Sequence, residues 1–211
     1  MISTALATGL RQKGIHYGWV VAGTTFLTML ATAGAMGSAG VMIEPLQQEF
    51  GWQNADISTA FALRLALFGL MGPFAAVFMN RFGVRSVILC ALALISAGLL
   101  GSLVMRELWQ LVLLWGVIVG IGTGMTAIVL GATVATRWFS ERRGFVVGLL
   151  TASNATGQLV FLPILASLST AYGWRTALVF VLGALAIAMV VVLLLMRDRP
   201  ADLGLTPYGL S

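Results

Sequence analysis

WQLVLLWGVIVGIGTGMTAIVLGATVAT, residues 109–136, runs for 28 positions without an aspartate, glutamate, lysine or arginine. A helix rises 1.5 Å per residue, so roughly 20 apolar residues cross a hydrocarbon core of about 30 Å, and this run reads as a membrane span. It is rich in Leu, Ala, Gly and Val, and it lacks the apolar/polar alternation of a membrane β-strand. Only a helix then satisfies its backbone in lipid.

Working outward, five further apolar runs bounded by charge appear: Trp19–Ile43, Ser58–Met79 and Ser86–Met105 before it, Phe145–Leu168 and Thr176–Met196 after it. The expected fold is an all-α membrane protein of six transmembrane helices: a segment at 1–18, a six-helix domain at 19–196 and a tail at 197–211. Composition agrees. Of 211 residues 59% are apolar and 9% charged, against about 25% charged in a soluble domain, so a soluble globular fold is excluded. The net charge of +5 sits in short clusters between the spans, which argues for membrane orientation and against nucleic acid as a partner. One cysteine, Cys90, and one histidine, His16, leave no disulfide and no metal-ligand cluster, and no cofactor is expected.

The loops give the topology. Arg11, Lys13, Arg81, Arg85, Arg137, Arg142, Arg143, Arg197 and Arg199 fall on one side, whereas Arg106 and Arg175 fall on the other with Glu44, Glu49 and Asp56. The positive-inside rule puts the first side, and both termini, in the cytoplasm. A signal peptide also fits Arg11 and Lys13, the apolar run to Leu30 and the small residues ATAGA at 31–35. That run continues through Val41, Met42 and Ile43, and cleavage would leave five spans, so span 1 is expected to be retained.

Several residues inside the spans stand out. Arg64 lies about six residues into span 2 without an acidic neighbour in AFALRLALF. It either snorkels to the interface or faces a cavity where an anion completes its hydrogen bonds. Thr151, Asn154 and Gln158, at i, i+3 and i+7, share one face of span 5. They either bond neighbouring helices or wall a substrate path. Thr28, within the Thr24, Thr25, Thr28 and Thr32 cluster of span 1, and Thr126 with Thr123 in span 4 are weaker path candidates, because threonine also bonds its own helix. Gly120 with Gly124, and Gly144 with Gly148, form GxxxG pairs that permit close helix packing. Pro73 and Pro163 are expected to bend spans 2 and 5.

The turn AAVFMNRFGVRSVI, residues 75–88, resembles the G-x-x-x-D-R-x-G-R-R signature of the major facilitator superfamily. Arg81, Gly83 and Arg85 match it. Ala76 replaces the first glycine and Asn80 the aspartate, so the family's inner-side carboxylate interaction is missing. PLQQEFGWQNADIS at 45–58, ATRWFSERRGFVVGLLTASNATGQLVFLPILASL at 135–168, YGWRTALVFVLGA at 172–184 and RDRPADLGLTPYG at 197–209 are similar to bacterial porters related to monocarboxylate and oxalate/formate carriers. The resemblance implies one half of a twelve-helix fold in a bacterial inner membrane. It implies symport or antiport of a small organic anion by alternating access, through a cavity lined by spans 1, 2, 4 and 5. Gly116 stands where proton-coupled drug exporters of the superfamily carry arginine, which argues against that branch.

That family places its site between two six-helix halves, so a second half or a homodimer is the expected partner, beside lipid and the solute, and a lone monomer is not expected to transport. Two other classes compete with this reading. An intramembrane protease needs a serine with a base, or paired aspartates, inside the membrane, and no span core carries Asp, Glu or His, so no catalytic residue is expected. A non-transporting binding or regulatory module, or an inactive amino-terminal fragment, is the alternative to the carrier. No P-loop is present to draw on ATP.

Overall fold

The computed structural model describes residues 7–10 and 14–209; Arg11 and Lys13, which count towards the expected charge bias, lie outside the described residues. Six helices are long and apolar enough to cross a membrane: Gly18–Phe50, Asn54–Phe82, Val84–Ser102, Leu108–Trp138, Arg143–Tyr172 and Trp174–Leu195, numbered here as spans 1 to 6. Each expected run is found. Spans 1, 2 and 5 extend well beyond their apolar windows. Span 1 continues past Ile43, through Pro45, to Phe50, because polar residues such as Glu44 and Gln48 are good helix formers once the helix leaves lipid.

The six helices form two groups of three with matched lengths, 33, 29 and 19 residues, then 31, 30 and 22. Spans 2 and 3 are joined by the single residue Gly83, and spans 5 and 6 by the single residue Gly173. The two glycines adopt nearly the same backbone conformation, φ 88° ψ 153° and φ 88° ψ 158°, a region essentially closed to residues with a Cβ. The groups run oppositely across the membrane, so one joint lies at each end of the bundle. Packing is exchanged between them: span 1 of the first group packs most extensively on spans 5 and 6, whereas span 4 packs on spans 2 and 3.

Burial follows from this exchange. Spans 1 and 4 bury 56% of their most apolar stretch against neighbours, while span 2 buries 17% and span 5 buries 28%. Spans 2 and 5 therefore present bare flanks. The core is apolar, with Met29 and Met42 of span 1, Ile88 and Leu92 of span 3, and Trp115 and Trp138 of span 4 fully enclosed. The Trp115 indole Nε1 donates to Ser102 Oγ at 2.8 Å, and that hydroxyl donates to Gly98 O at 2.7 Å.

Span 4 is not a regular helix. A turn at Leu108–Leu111 passes into a π-helical stretch, Val112–Val119, then an α-helix, Gly120–Met125. After an interruption at Thr126 and Ala127, where Ala127 is extended, Ile128–Trp138 resumes. Pro73 and Pro163, the expected bending points, lie inside helices that continue through them. Span 4 is interrupted in GIGTGMTA, a stretch without proline. Three glycines weaken the helix there by about 1 kcal/mol each relative to alanine, and Thr123 and Thr126 bond back to carbonyls three and four residues earlier, an arrangement that bends helices.

Candidate functional site

The close approach of spans 2 and 4 sets the position of Arg64. A Cβ built on Gly116 would lie 2.9 Å from Leu63 Cδ2, one on Gly120 3.2 Å from Arg64 Cα, and one on Gly124 2.6 Å from Met71 Cβ. Every fourth residue of this face of span 4 is thus a glycine in contact with span 2. Arg64 projects from that seam towards span 1. It is 6% exposed. Its Nη1 donates to Met36 O at 3.0 Å, its guanidinium carbon lies 5.9 Å from the Phe61 ring centroid, and its buried Nε has no hydrogen-bond partner. Arg64 is therefore buried in the bundle, its guanidinium bonded to span 1 and its backbone set against Gly120 of span 4.

The other path candidates divide in two. Thr28 is fully buried and donates to Thr24 O at 2.9 Å. Thr126, also buried, donates to Thr123 O at 3.2 Å and Gly122 O at 3.4 Å. Their protons are used within their own helices. Thr151 and Gln158 are exposed and Asn154 half-buried on the bare flank of span 5, where Gln158 Nε2 donates to Asn154 Oδ1 at 3.3 Å. Gly144 and Gly148 lie on that flank, and a Cβ on either would meet nothing within 4 Å, so the close packing expected of this pair is not made within the chain. Gly157 makes it instead: a Cβ there would lie 2.6 Å from Ala33 Cβ and 2.9 Å from Leu30 O.

Two ends of the bundle carry polar structure. At the end away from the tail, a cavity of about 690 Å³ lies between spans 1 and 5, with Glu44, Gln48, Glu49 and Trp174 in its walls. Glu49 accepts from Trp174 Nε1 at 2.7 Å and pairs with Arg175 Nη1 at 2.7 Å. These groups pin span 6 to span 1.

At the tail end the signature turn is held by residues that sequence spacing did not single out. Asn80 Oδ1 accepts from Arg137 Nη2 at 2.8 Å, and the same nitrogen donates to Met79 O at 3.0 Å. The Arg81 guanidinium lies 5.4 Å from the Phe82 ring centroid. A carboxylate is present beside the turn, but it comes from beyond span 6: Asp198 Oδ1 accepts from the Arg85 backbone N–H at 2.8 Å, at the start of span 3. Arg85 Nη2 in turn donates to Leu193 O at 2.6 Å.

The tail itself is docked. Tyr208 N–H donates to Trp138 O at 2.8 Å, and Ser140 N–H donates to Tyr208 O at 2.8 Å. The Tyr208 ring lies 5.7 to 5.9 Å from those of His16, Trp19 and Phe139. His16 Nδ1 accepts from Gly18 N–H at 3.0 Å, which leaves Nε2 to donate to Thr206 O at 2.9 Å. Tyr208 of RDRPADLGLTPYG and the pair Trp138 and Phe139 at the end of span 4 were the available signal for this docking, but a tail of mixed polarity does not disclose its partner.

A family model described as Major Facilitator Superfamily matches residues 24–209. Among curated relatives, the chain is 28% identical over 181 residues to monocarboxylate transporter 7 of Homo sapiens, covering 86% of this chain and 34% of that protein. It is 28% identical over 205 residues to monocarboxylate transporter 4 of Rattus norvegicus, covering 96% of this chain and 43% of the relative. Over 183 residues it is 28% identical to monocarboxylate transporter 9 of Mus musculus, covering 86% and 35%. The chain thus spans well under half the length of the curated relatives it matches.

Proposed function

The chain belongs to the major facilitator superfamily, and from that premise we propose that it supplies one six-helix half of a secondary active carrier for a small organic anion, a monocarboxylate first among them, moved by alternating access. The observation that carries this reading is Arg64. A guanidinium offers five N–H donors in a fixed fork suited to a carboxylate, and inside a membrane such a charge is costly unless partnered. Arg64 donates to one backbone carbonyl, while its Nε is buried without an acceptor. A carboxylate satisfies both the charge and the remaining donors. The names of the relatives point to the same solute class.

Access follows from packing. Spans 1 and 2 touch little compared with the contacts either makes elsewhere, and the Arg64 to Met36 bond crosses their seam. Parting of that seam opens Arg64 to a solute. Thr151, Asn154 and Gln158 on the bare flank of span 5 then face the opposite wall, supplied by a second six-helix unit, whether a further segment of the same polypeptide or a second copy. The arginine-rich tail end lies on the cytoplasmic side of the inner membrane, by the positive-inside rule.

The test is counterflow of radiolabelled lactate in proteoliposomes holding the complete assembly. Hydrogen bonds to a charged group contribute about 1.5–3 kcal/mol, so Arg64→Gln is expected to weaken lactate affinity by roughly 10- to 150-fold. Arg64→Lys is expected to fall between the two. Unchanged counterflow of every anion tried by a folded Arg64→Gln protein overturns the proposal.

A further inference from the structure

Span 1 carries GAMGSAG at residues 34–40, and its three glycines have different surroundings. A Cβ on Gly34 would lie 2.7 Å from the Phe161 ring, and one on Gly37 3.8 Å from Leu162 Cδ1, so both meet span 5. A Cβ on Gly40 would meet nothing within 4 Å. Close packing within the chain therefore does not account for Gly40, although glycine weakens a helix relative to alanine. Gly40 is exposed and lines the cavity of about 690 Å³ between spans 1 and 5. The same residue stands beside Arg64. Arg64 Nη1 donates to Met36 O at 3.0 Å, and in an α-helix the carbonyl of residue 36 is also the acceptor for the N–H of residue 40. The guanidinium, with its Nε buried and without an acceptor, thus stands on the turn of span 1 that Gly40 closes. From Gly40 the cavity continues along span 1 past Glu44 to Gln48, about 12 Å at 1.5 Å per residue, with Ala166 and Thr170 of span 5 in its wall.

We infer that Gly40 sets the size of substrate the carrier accepts: it is the doorway past which a carboxylate held by Arg64 extends its organic substituent into this cavity. The inference rests on the reading of Arg64 as the partner of the carboxylate. A carboxylate that replaces Met36 O on the guanidinium lies against the turn 36–40. Ser38 and Ala39 of that turn are buried, so position 40 is where the turn gives onto the cavity, and it carries no side chain. The cavity volume falls in the range of sites that enclose molecules far larger than lactate, so a branched substituent has room beyond the doorway. A side chain at position 40 would occupy that room.

The experiment is competition against counterflow of radiolabelled lactate in proteoliposomes holding the complete assembly. The competitors are unlabelled lactate and 2-hydroxyisocaproate, which is lactate with an isopropyl group added to its methyl carbon. The parent protein is expected to take both acids, with half-inhibitory concentrations within about tenfold of each other. In Gly40→Leu the value for 2-hydroxyisocaproate is expected to rise roughly 10- to 200-fold relative to that for lactate, the discrimination that hydrocarbon groups give in a pocket. Gly40→Ala is expected to fall between the two. If Gly40→Leu does not fold, Ala166→Leu, which enters the same cavity from an exposed position on span 5, is expected to shift the ratio in the same direction. A parent protein that ignores 2-hydroxyisocaproate, a ratio unaltered by either leucine variant, or an equal loss for the two acids overturns the inference; the equal loss assigns Gly40 to packing against a second six-helix unit. Absence of lactate counterflow from the parent overturns the reading of Arg64 and the inference together, whereas Arg64-dependent lactate counterflow with an unaltered ratio overturns the inference alone.

Discussion

Gly83 and Gly173 offer a controlled comparison, because the two single-residue joints share a backbone conformation and differ in what surrounds them. At Gly173 a Cβ would meet nothing within 4 Å; at Gly83 it would lie 2.7 to 2.8 Å from the Asp198 carboxyl group. Gly173→Ala therefore costs the backbone strain alone, about 1–3 kcal/mol for a residue held in this region. Gly83→Ala costs the same strain and also displaces Asp198 from the Arg85 N–H. A hydrogen bond to a charged acceptor contributes about 1.5–3 kcal/mol, and a carboxylate at a helix N-terminus adds about 0.3–1 kcal/mol. Gly83→Ala should thus be the more destabilising by about 2–4 kcal/mol, the sum of those two contributions.

The assay is equilibrium unfolding in mixed micelles at rising dodecyl sulfate mole fraction, followed by tryptophan fluorescence. A double-mutant cycle with Asp198→Ala isolates the contact. Once Asp198 is gone, Gly83→Ala should cost no more than Gly173→Ala, and the coupling should match the excess measured with Asp198 present. If the two glycine variants lose the same stability, or if the cycle shows coupling within experimental error of zero, Asp198 does not anchor the tail to span 3.

Three further outcomes are expected from the packing. Ser102→Ala removes the acceptor of the buried Trp115 Nε1 and should lower stability by about 1–3 kcal/mol in the same micelle titration. Gly157→Leu has no room against Ala33 and Leu30 and should cost about 1–3 kcal/mol. Gly148→Leu, on the open flank, should leave unfolding of the six-helix unit within about 0.5 kcal/mol of the parent, yet weaken its association with a second six-helix unit, measured by cross-linking in native membranes.

How far the sequence disclosed these features varied with the physics behind them. The six spans were legible because the requirement is local: an apolar run about 20 residues long has few stable alternatives in lipid. Glycine spacing was legible as a stripe, but a stripe does not name its partner. Gly120 and Gly124 meet span 2, whereas Gly144 and Gly148, with the same spacing, face open space. Arg64 was legible as an anomaly, since a charge among AFALRLALF requires explanation, but its acceptor was not. The Met36 carbonyl is 28 residues away, and any backbone carbonyl is chemically as able to accept. Asn80 was legible as a departure from a signature, while Arg137 and Asp198 emerged only once the chain was folded, because long-range polar pairs leave no periodic trace.

Span 4 is interrupted where its packing partners change. Its first part, through Met125, packs on spans 2 and 3, and its second part, from Ile128, makes its largest contact with span 5, with Gly131 set against Leu150 and near Met29. A regular helix of 31 residues is a rod of about 46 Å, and one rod must compromise between these two beds. The change of neighbour falls at Thr126 and Ala127. Proline removes a backbone donor wherever it stands, and so it advertises itself in sequence. Glycine and threonine only lower the resistance to a break, and tertiary packing then decides whether one occurs. In span 5, Pro163 lies in a helix that continues through it; in span 4, the exchange of packing between the two three-helix groups falls on the stretch least able to resist it.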